Sequence, residues 1–306
     1  MPKHRNKQFD FRLHKLNISK DIHFEILDLT SYTNTNYLLE KYKPKYLAHL
    51  ASQSSVVKGI THIELTKQDE LITENLINSL IFYSKETKIF FPSSATIYEG
   101  YENMKVNEET TPKPLSIYAK TKNNTHQKLK KLIKQKTLLG NIGIMFSHES
   151  EFRRPNYFSK TVVEFLCSYK QNPTKTLNVG NIYIQRDIGY AEEYVDAIFR
   201  LTESSKNDEF IISSNKLVSL KEFIDNCLNI LEINYEIIEE KEKVSFIDTA
   251  SGKVFIKTNP AMFRKIDLHG IRGDNTKITT EIGWVPTYNL EQICSKMISY
   301  ELRNST

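Results

Sequence analysis

The sequence predicts an α/β protein, with a mostly parallel sheet covered by helices on both faces and a smaller α/β lobe after it. Three observations carry this expectation. Short apolar runs of strand type alternate with longer helix-period stretches through the first half of the chain. The second half keeps helical stretches but spaces them irregularly. The 306 residues, with 16 Phe and 16 Tyr among them, are enough to fill about two cores and argue against disorder.

Taken in order, residues 24–29 read as a strand and residues 30–42 as a helix that stops near Pro44. Residues 46–50 and 88–91 are strands, and the intervening 69–85 is a helix with Leu71, Ile72, Leu76, Leu80 and Ile81 largely on one face. Residues 117–135 are a helix and 141–146 a strand. Further on, 158–169 is helical, 176–179 and 210–213 are strands, and 219–233 is a helix that Ser219 can cap with Glu222 three residues later. Residues 241–257 are mostly polar and take no clear assignment, and 284–300 closes the chain as a helix. Near the start, residues 8–13 alternate like a strand, with Phe9, Phe11 and Leu13 on one face. The expected division falls near residue 147, into 1–147 and 148–306, with segments of the second part returning to the first.

Composition removes several function classes. The net charge of +5 comes from scattered lysines, and a run such as 128–134 reads as the wet face of a helix, so no nucleic-acid partner is expected. No apolar run approaches the ~18 residues a membrane span needs, and the first residues lead into no apolar signal core. No membrane association is expected, and the expected location is cytoplasmic. Cys167, Cys227 and Cys294 are far apart in apolar stretches and have no metal-site spacing, which suits small core residues in a reducing compartment.

The chemistry is concentrated in Ser116-Ile117-Tyr118-Ala119-Lys120-Thr121-Lys122. Tyr118 and Lys122 are four apart and share a helix face. A nearby ammonium favours the phenolate and is expected to draw the tyrosine pKa toward neutrality, making it a general base for a hydroxyl. Upstream, Phe90-Phe91-Pro92-Ser93-Ser94-Ala95-Thr96-Ile97-Tyr98 ends a strand, and ligands of open parallel sheets bind outside the carboxyl ends of strands. Ser94, Tyr118 and Lys122 together resemble the catalytic set of extended short-chain dehydrogenases/reductases, whose fold is Rossmann-like.

Three more segments resemble the GDP-mannose 4,6-dehydratase group of that family. They are Ser147-His148-Glu149-Ser150 with Arg153-Arg154, then Gly180-Asn181 with Arg186-Asp187-Ile188-Gly189 and Glu193-Tyr194-Val195, and finally Phe263-Arg264 with Asp267, Gly273-Asp274, Lys277 and Gly283-Trp284. The resemblance spans roughly residues 24–300. It implies an NADP- or NAD-dependent oxidation at C4 of a nucleotide sugar, GDP-linked, in a homo-oligomer. It implies catalytic roles for Ser94, Tyr118, Lys122 and the residue at Thr96. Cofactor contacts fall on Arg5, Asp28, Leu29, Ala51, Ser52, Gln53, Asn75, Tyr118, Lys122 and His148. Substrate contacts fall on Ser147, Glu149, Arg153, Asn181, Arg186, Arg264 and Asp267, with Arg186 and Arg264 at the diphosphate.

Two departures from the pattern stand out. The sequence contains no G-x-x-G-x-x-G turn of the kind that seats a dinucleotide pyrophosphate, and only 10 glycines in all. A β-α-β unit of about 30 residues is expected to be missing, through a start set too late, a truncated gene, or a short variant whose first residues fill the gap. The resemblance then places the segment Lys3-His4-Arg5 at a cofactor 2′-phosphate. The second departure is Thr96, where dehydratases of this group carry a glutamate that serves as acid and base. The Ser-Ala-Thr-Ile-Tyr run is similar to nucleotide-sugar 4-epimerases. The sequence therefore leaves three readings open: a 4,6-dehydratase, a 4-epimerase or reductase, and a non-catalytic remnant or partner subunit.

Overall fold

The computed structural model describes residues 7–52, 63–241, 243–263 and 270–304. In chain order the first half holds α1 (Lys7–Lys15), α2 (Tyr32–Tyr42), β1 (Tyr46–Ala48), α3 (Ile63–Tyr83), β2 (Lys88–Ser94), β3 (Lys105–Val106), α4 (Ile117–Lys134) and β4 (Leu139–Met145). The second half holds β5 (Ser147–Glu149), α5 (Phe158–Gln171), β6 (Leu177–Val179), β7 (Gln185–Tyr190), α6 (Ala191–Glu203), β8 (Glu209–Ile212), β9 (Leu217–Ser219) and α7 (Leu220–Ile230). After these come β10 (Tyr235–Glu240), β11 (Lys243–Asp248), β12 (Val254–Thr258), β13 (Arg272–Gly273), α8 (Thr276–Ile282) and α9 (Leu290–Asn304).

The main sheet has the order β1-β2-β4-β8, all parallel. Its two central strands are buried along most of their length, as expected of strands covered on both faces. Consecutive residues of β2 serve opposite cores, as the strand pleat requires. Phe91 packs with Leu76, Ile77 and Leu80 of α3 and Leu129 and Ile133 of α4. Phe90 packs with Tyr194, Ala197 and Leu201 of α6, together with Phe210 and Trp284. A second sheet, β10-β11-β12-β6, carries a separate core with α5, α7 and α9. A third, β5-β7-β9, stands just beyond the carboxyl end of β4.

Several elements differ from expectation. Residues 24–29 form no strand. A strand needs a ladder neighbour, and among the described residues β1 pairs only with β2 while 22–28 pairs with nothing. The segment is tied instead by side chains. Glu25 accepts from Lys41 (2.6 Å) and from the Tyr42 hydroxyl, and Ile26 remains exposed. Residues 8–13 are helical: Leu13 is buried and Phe9, one turn before it, meets the Phe24 ring edge-on, while Phe9 and Phe11 both remain exposed. Arg12 Nη2 donates to Phe152 O at 2.6 Å and Lys15 Nζ to Asn304 Oδ1 at 2.8 Å, which docks α1 on the loop after β5 and on the end of α9. Leu71 points outward from α3, whereas Ile77 is buried in the core. The unassigned stretch 241–257 holds the antiparallel pair β11–β12, whose inward residues are Val244, Phe246, Phe255 and Ile256. The last helix starts at Leu290. Trp284 lies before it, fully buried, with Nε1 donating to Glu193 O at 2.9 Å.

The helix expected over residues 219–233 forms over Leu220–Ile230, with Ser219 as its N-cap. Ser219 Oγ accepts from Glu222 N at 3.0 Å, and the Glu222 carboxylate accepts from Ser219 N at 2.6 Å, completing a capping box. Cys167, Cys227 and Cys294 are buried free thiols. No helix of the described residues is long and apolar enough to cross a membrane.

Candidate active site

β2 ends at Ser94, which also caps the 3-10 turn Ala95–Tyr98. Ser94 Oγ accepts from Thr96 N at 3.3 Å and from Thr96 Oγ1 at 3.0 Å. Its own proton stays free for another acceptor, and a hydroxyl donor at this position favours the Tyr118 phenolate. The helix bearing Tyr118 is anchored at its start. Ser116 Oγ accepts from Ala119 N at 3.1 Å as the N-cap. The buried Glu99 carboxylate accepts from Leu115 N (2.7 Å), Ser116 N and Ser116 Oγ (3.2 Å). A carboxylate at a helix N-terminus also matches the helix dipole.

Lys122 lies one turn along α4, its Nζ 5.9 Å from the centroid of the Tyr118 ring and 5.9 Å from that of Phe91. Its ammonium donates to Ser52 Oγ at 2.7 Å, and Ser52 Oγ donates to Asp69 Oδ2 at 2.9 Å. Tyr118, Thr121, Lys122 and Thr125 of α4 face Thr66, Asp69, Glu70 and Thr73 of α3 across a narrow cleft floored by Phe91. Burial pushes Lys122 down, and Asp69 opposes it. His49, at the end of β1, stacks on Phe91 with Nε2 3.4 Å from Thr73 Oγ1. Burial and the Lys122 ammonium take it down to about 4, against Asp69.

The expected lowering of the Tyr118 pKa is not what the geometry gives. Burial pushes the phenol up to about 12, with Asp69 and Tyr157 adding to the rise and only the Ser94 hydrogen bond opposing it. Lys122 is turned toward Ser52, and desolvation of a buried phenolate dominates.

The segment after β4 supplies a second group. Ser147 is exposed. His148 Nδ1 donates to Phe146 O at 2.9 Å and its ring lies 4.8 Å from Tyr194, while burial and Arg153 push its pKa down. Glu149 is buried, accepts from Ser159 Oγ at 2.7 Å and pairs with Arg153 Nε at 3.2 Å. Burial raises its pKa against both partners. The Arg153 guanidinium lies 3.9 Å above the Tyr157 ring. Further away, Asn181 Oδ1 accepts from Tyr183 N at 3.0 Å, and Arg186 Nη1 donates to Gln185 O at 2.8 Å. Asp187 is held by Ser214 (N 2.7 Å, Oγ 2.6 Å) and Gly273 N (3.1 Å).

Asp28, Leu29 and Asn75 come together as one turn. Asp28 Oδ1 accepts from Thr30 N (2.9 Å) and Thr30 Oγ1 (2.6 Å), and the buried Asn75 amide donates to Leu29 O (3.1 Å) and Thr30 O (3.0 Å). Ala51 is exposed beside Ser52. Lys3, His4, Arg5, Gln53, Arg264 and Asp267 lie outside the described residues. Sequence reasoning missed Asp69 and Glu99. Neither belongs to a local motif, and their contacts join residues 16 to 17 positions apart.

The arrangement defines a class first: an open parallel α/β sheet with a Ser–Tyr–Lys group at the carboxyl ends of its strands. Among solved structures it is similar to RMD from Pseudomonas aeruginosa complexed with NADPH, with TM-score 0.77, 18% identity and 95% and 94% of the two chains covered. It is also similar to UDP-glucose-4-epimerase from Stenotrophomonas maltophila with bound NAD, with TM-score 0.79, 13% identity and 99% and 89% covered. These likenesses show the fold. The sequence is 27% identical to GDP-mannose 4,6-dehydratase of Vibrio cholerae serotype O1 over 98% of this chain and 84% of that protein, and 24% identical to the human GDP-mannose 4,6 dehydratase over 89% and 74%. The family profile for GDP-mannose 4,6 dehydratase matches residues 4–297, and the chain belongs to that family.

Proposed function

We propose that this chain is a nucleotide-sugar-modifying enzyme that oxidises the C4 hydroxyl of a GDP-linked sugar with NADP or NAD. The observation that carries the reading is the placement of Ser94 at the end of β2 with Tyr118 and Lys122 on one face of α4, where ligands of open parallel sheets bind. The described residues fit the nicotinamide–ribose end of such a cofactor. The cleft presents the Lys122 ammonium and the Tyr118 and Thr121 hydroxyls, and Ser52 adds another. The pyrophosphate end has no glycine-rich turn in this sequence, and Arg5 and Gln53 of that region are outside the described residues. When bound, the dinucleotide supplies the hydride acceptor.

Tyr118 takes the hydroxyl proton in this reading. A phenol held near 12 is protonated at neutral pH, so it acts as a base only when a cation or donor stabilises its anion. A Ser94 hydroxyl donor favours that anion, and Lys122 is the cation within reach. Ser147, Glu149, Arg153, Asn181, Arg186, Arg264 and Asp267 form the proposed sugar-nucleotide side. Residues 1–147 and 148–306 are the proposed cofactor and substrate halves. A second reading, a 4-epimerase or reductase, is favoured by Thr96, whose hydroxyl donates to Ser94 where a dehydratase needs a carboxylate.

The test is titration of the purified chain with NADP, NADPH, NAD and NADH, then incubation with GDP-mannose and mass analysis of the product. A product lighter by one water is expected from a dehydratase and an isomer from an epimerase. Cofactor binding without turnover would mark a non-catalytic chain. A folded chain that binds none of the dinucleotides and no GDP-sugar would overturn the proposal.

A further inference from the structure

The cleft holds an acidic residue that the mechanism above does not use. Asp69 comes from α3, Ser52 from the segment after β1 and Lys122 from α4, and one hydroxyl joins all three. A serine hydroxyl has a single proton. Ser52 gives it to Asp69 at 2.9 Å, so its lone pairs face the Lys122 ammonium at 2.7 Å. The chain of donors therefore has one direction, from Lys122 through Ser52 to Asp69. Both ends line the same cleft as Tyr118.

We propose that Asp69 is a positioning residue that acts through Ser52 to keep the Lys122 ammonium charged and held in the cleft that Tyr118 lines. The inference deepens the proposed oxidation at this site and rests on it only for its kinetic consequence. Without Asp69, burial between α3 and α4 leaves Lys122 with no opposing influence on its charge. Asp69 also makes the Tyr118 proton harder to remove. It keeps the cation available at the expense of a weaker acid, and Lys122 must swing from Ser52 toward Tyr118 for the two to meet. The other titratable groups around this trio are His49 from the end of β1, Glu70 from α3 and Tyr157 from the loop before α5. His49, near 4, is neutral through the working range.

The direct test is an NMR titration of the unliganded chain carrying isotope-labelled lysine, with the Lys122 signal assigned by its loss in Lys122→Arg. In Asp69→Asn the Lys122 pKa is expected to fall by about 1 unit or more, the usual effect of losing one close opposite charge. Ser52→Ala should shift it in the same direction, the double variant should match Asp69→Asn alone, and Asp69→Glu should restore much of the loss. An unchanged Lys122 pKa in Asp69→Asn, or in Ser52→Ala, would overturn the proposal, and Ser52→Ala keeps the test open if Asp69→Asn does not fold. In turnover, both limbs of the pH profile of kcat/KM should move to lower pH in Asp69→Asn, because Asp69 raises both the Tyr118 and the Lys122 pKa. A merely structural role would lower the profile without moving it. If the chain turns over no GDP-sugar, the lysine titration still reads the tether, so the two proposals fail separately.

Discussion

Replacing Glu99 by alanine should separate the anchoring of α4 from the chemistry of Tyr118. Glu99 is 4% exposed, and its carboxylate satisfies two backbone N–H groups and one hydroxyl immediately before Tyr118. In Glu99→Ala the Ser116 N–H is buried without a partner, whereas Leu115, 48% exposed, can turn its N–H to water. An orphaned buried donor costs about 1–3 kcal/mol, and loss of a favourable charge at a helix start adds under 1. The expected destabilisation is about 3 kcal/mol. Glu99→Gln keeps one carbonyl acceptor and should cost about 1 kcal/mol. Urea unfolding followed by circular dichroism measures both, with the midpoint lowered and the slope unchanged. The result that refutes the reasoning is an alanine variant within about 0.5 kcal/mol of the parent, or a glutamine variant that loses as much as alanine.

Three further outcomes are expected. Asp187 is raised from an ordinary 3.8 to about 6 by burial, so the folded state binds its proton more tightly. Its contribution is fully present below pH 4 and is lost as pH rises toward 6. The size is about 3 kcal/mol at most, and Asp187→Asn should flatten the fall of Tm across that window. Ser219→Ala removes the capping box of α7 and should cost about 1 kcal/mol in chemical denaturation. The buried thiols of Cys167, Cys227 and Cys294, with Cys167 pushed up to about 11, should resist a disulfide-exchange reagent in the folded chain, and all three should react once it is unfolded.

The central sheet was legible because its strands are short apolar runs that need no distant partner to be recognised. β2 and β4 are covered on both faces, and their composition says so. Ser219 and Glu222 were legible for the same reason, since a capping box is written within four residues. Residues 24–29 have strand composition but no ladder neighbour among the described residues, and composition cannot report a neighbour. Residues 8–13 fit both periods, and Leu13 is buried from a helix rather than a strand. The polar exterior of β11 and β12 hid their inward alternation, and Pro286 delayed the last helix past Trp284. At the site, spacing put Tyr118 and Lys122 on one helix face and the family resemblance added Ser94, but the sign of the Tyr118 shift was not legible. A pair four residues apart suggests mutual stabilisation. Burial and a tether from Lys122 to Ser52, across 70 residues, reverse it.

The direction of the hydroxyl chain constrains the chemistry at Ser94. Thr96 Oγ1 donates to Ser94 Oγ, which leaves the Ser94 proton free for another acceptor. A carboxylate at position 96 could only accept, and it would compete for that proton. With threonine there, Ser94 Oγ is an acceptor for Thr96 and keeps its own proton for an oxygen where charge develops during oxidation and reduction at one carbon. Loss of water from a neighbouring carbon needs a separate acid and base of carboxylate strength. Two carboxylates of adjoining segments are already committed: Glu99 to Leu115 and Ser116, and Glu149 to Ser159 and Arg153. Thr96 is thus the side chain behind the proposed 4-epimerase or reductase reading. Thr96→Glu should therefore weaken an epimerase-type exchange at C4, even if it supplies the acid that a dehydratase needs.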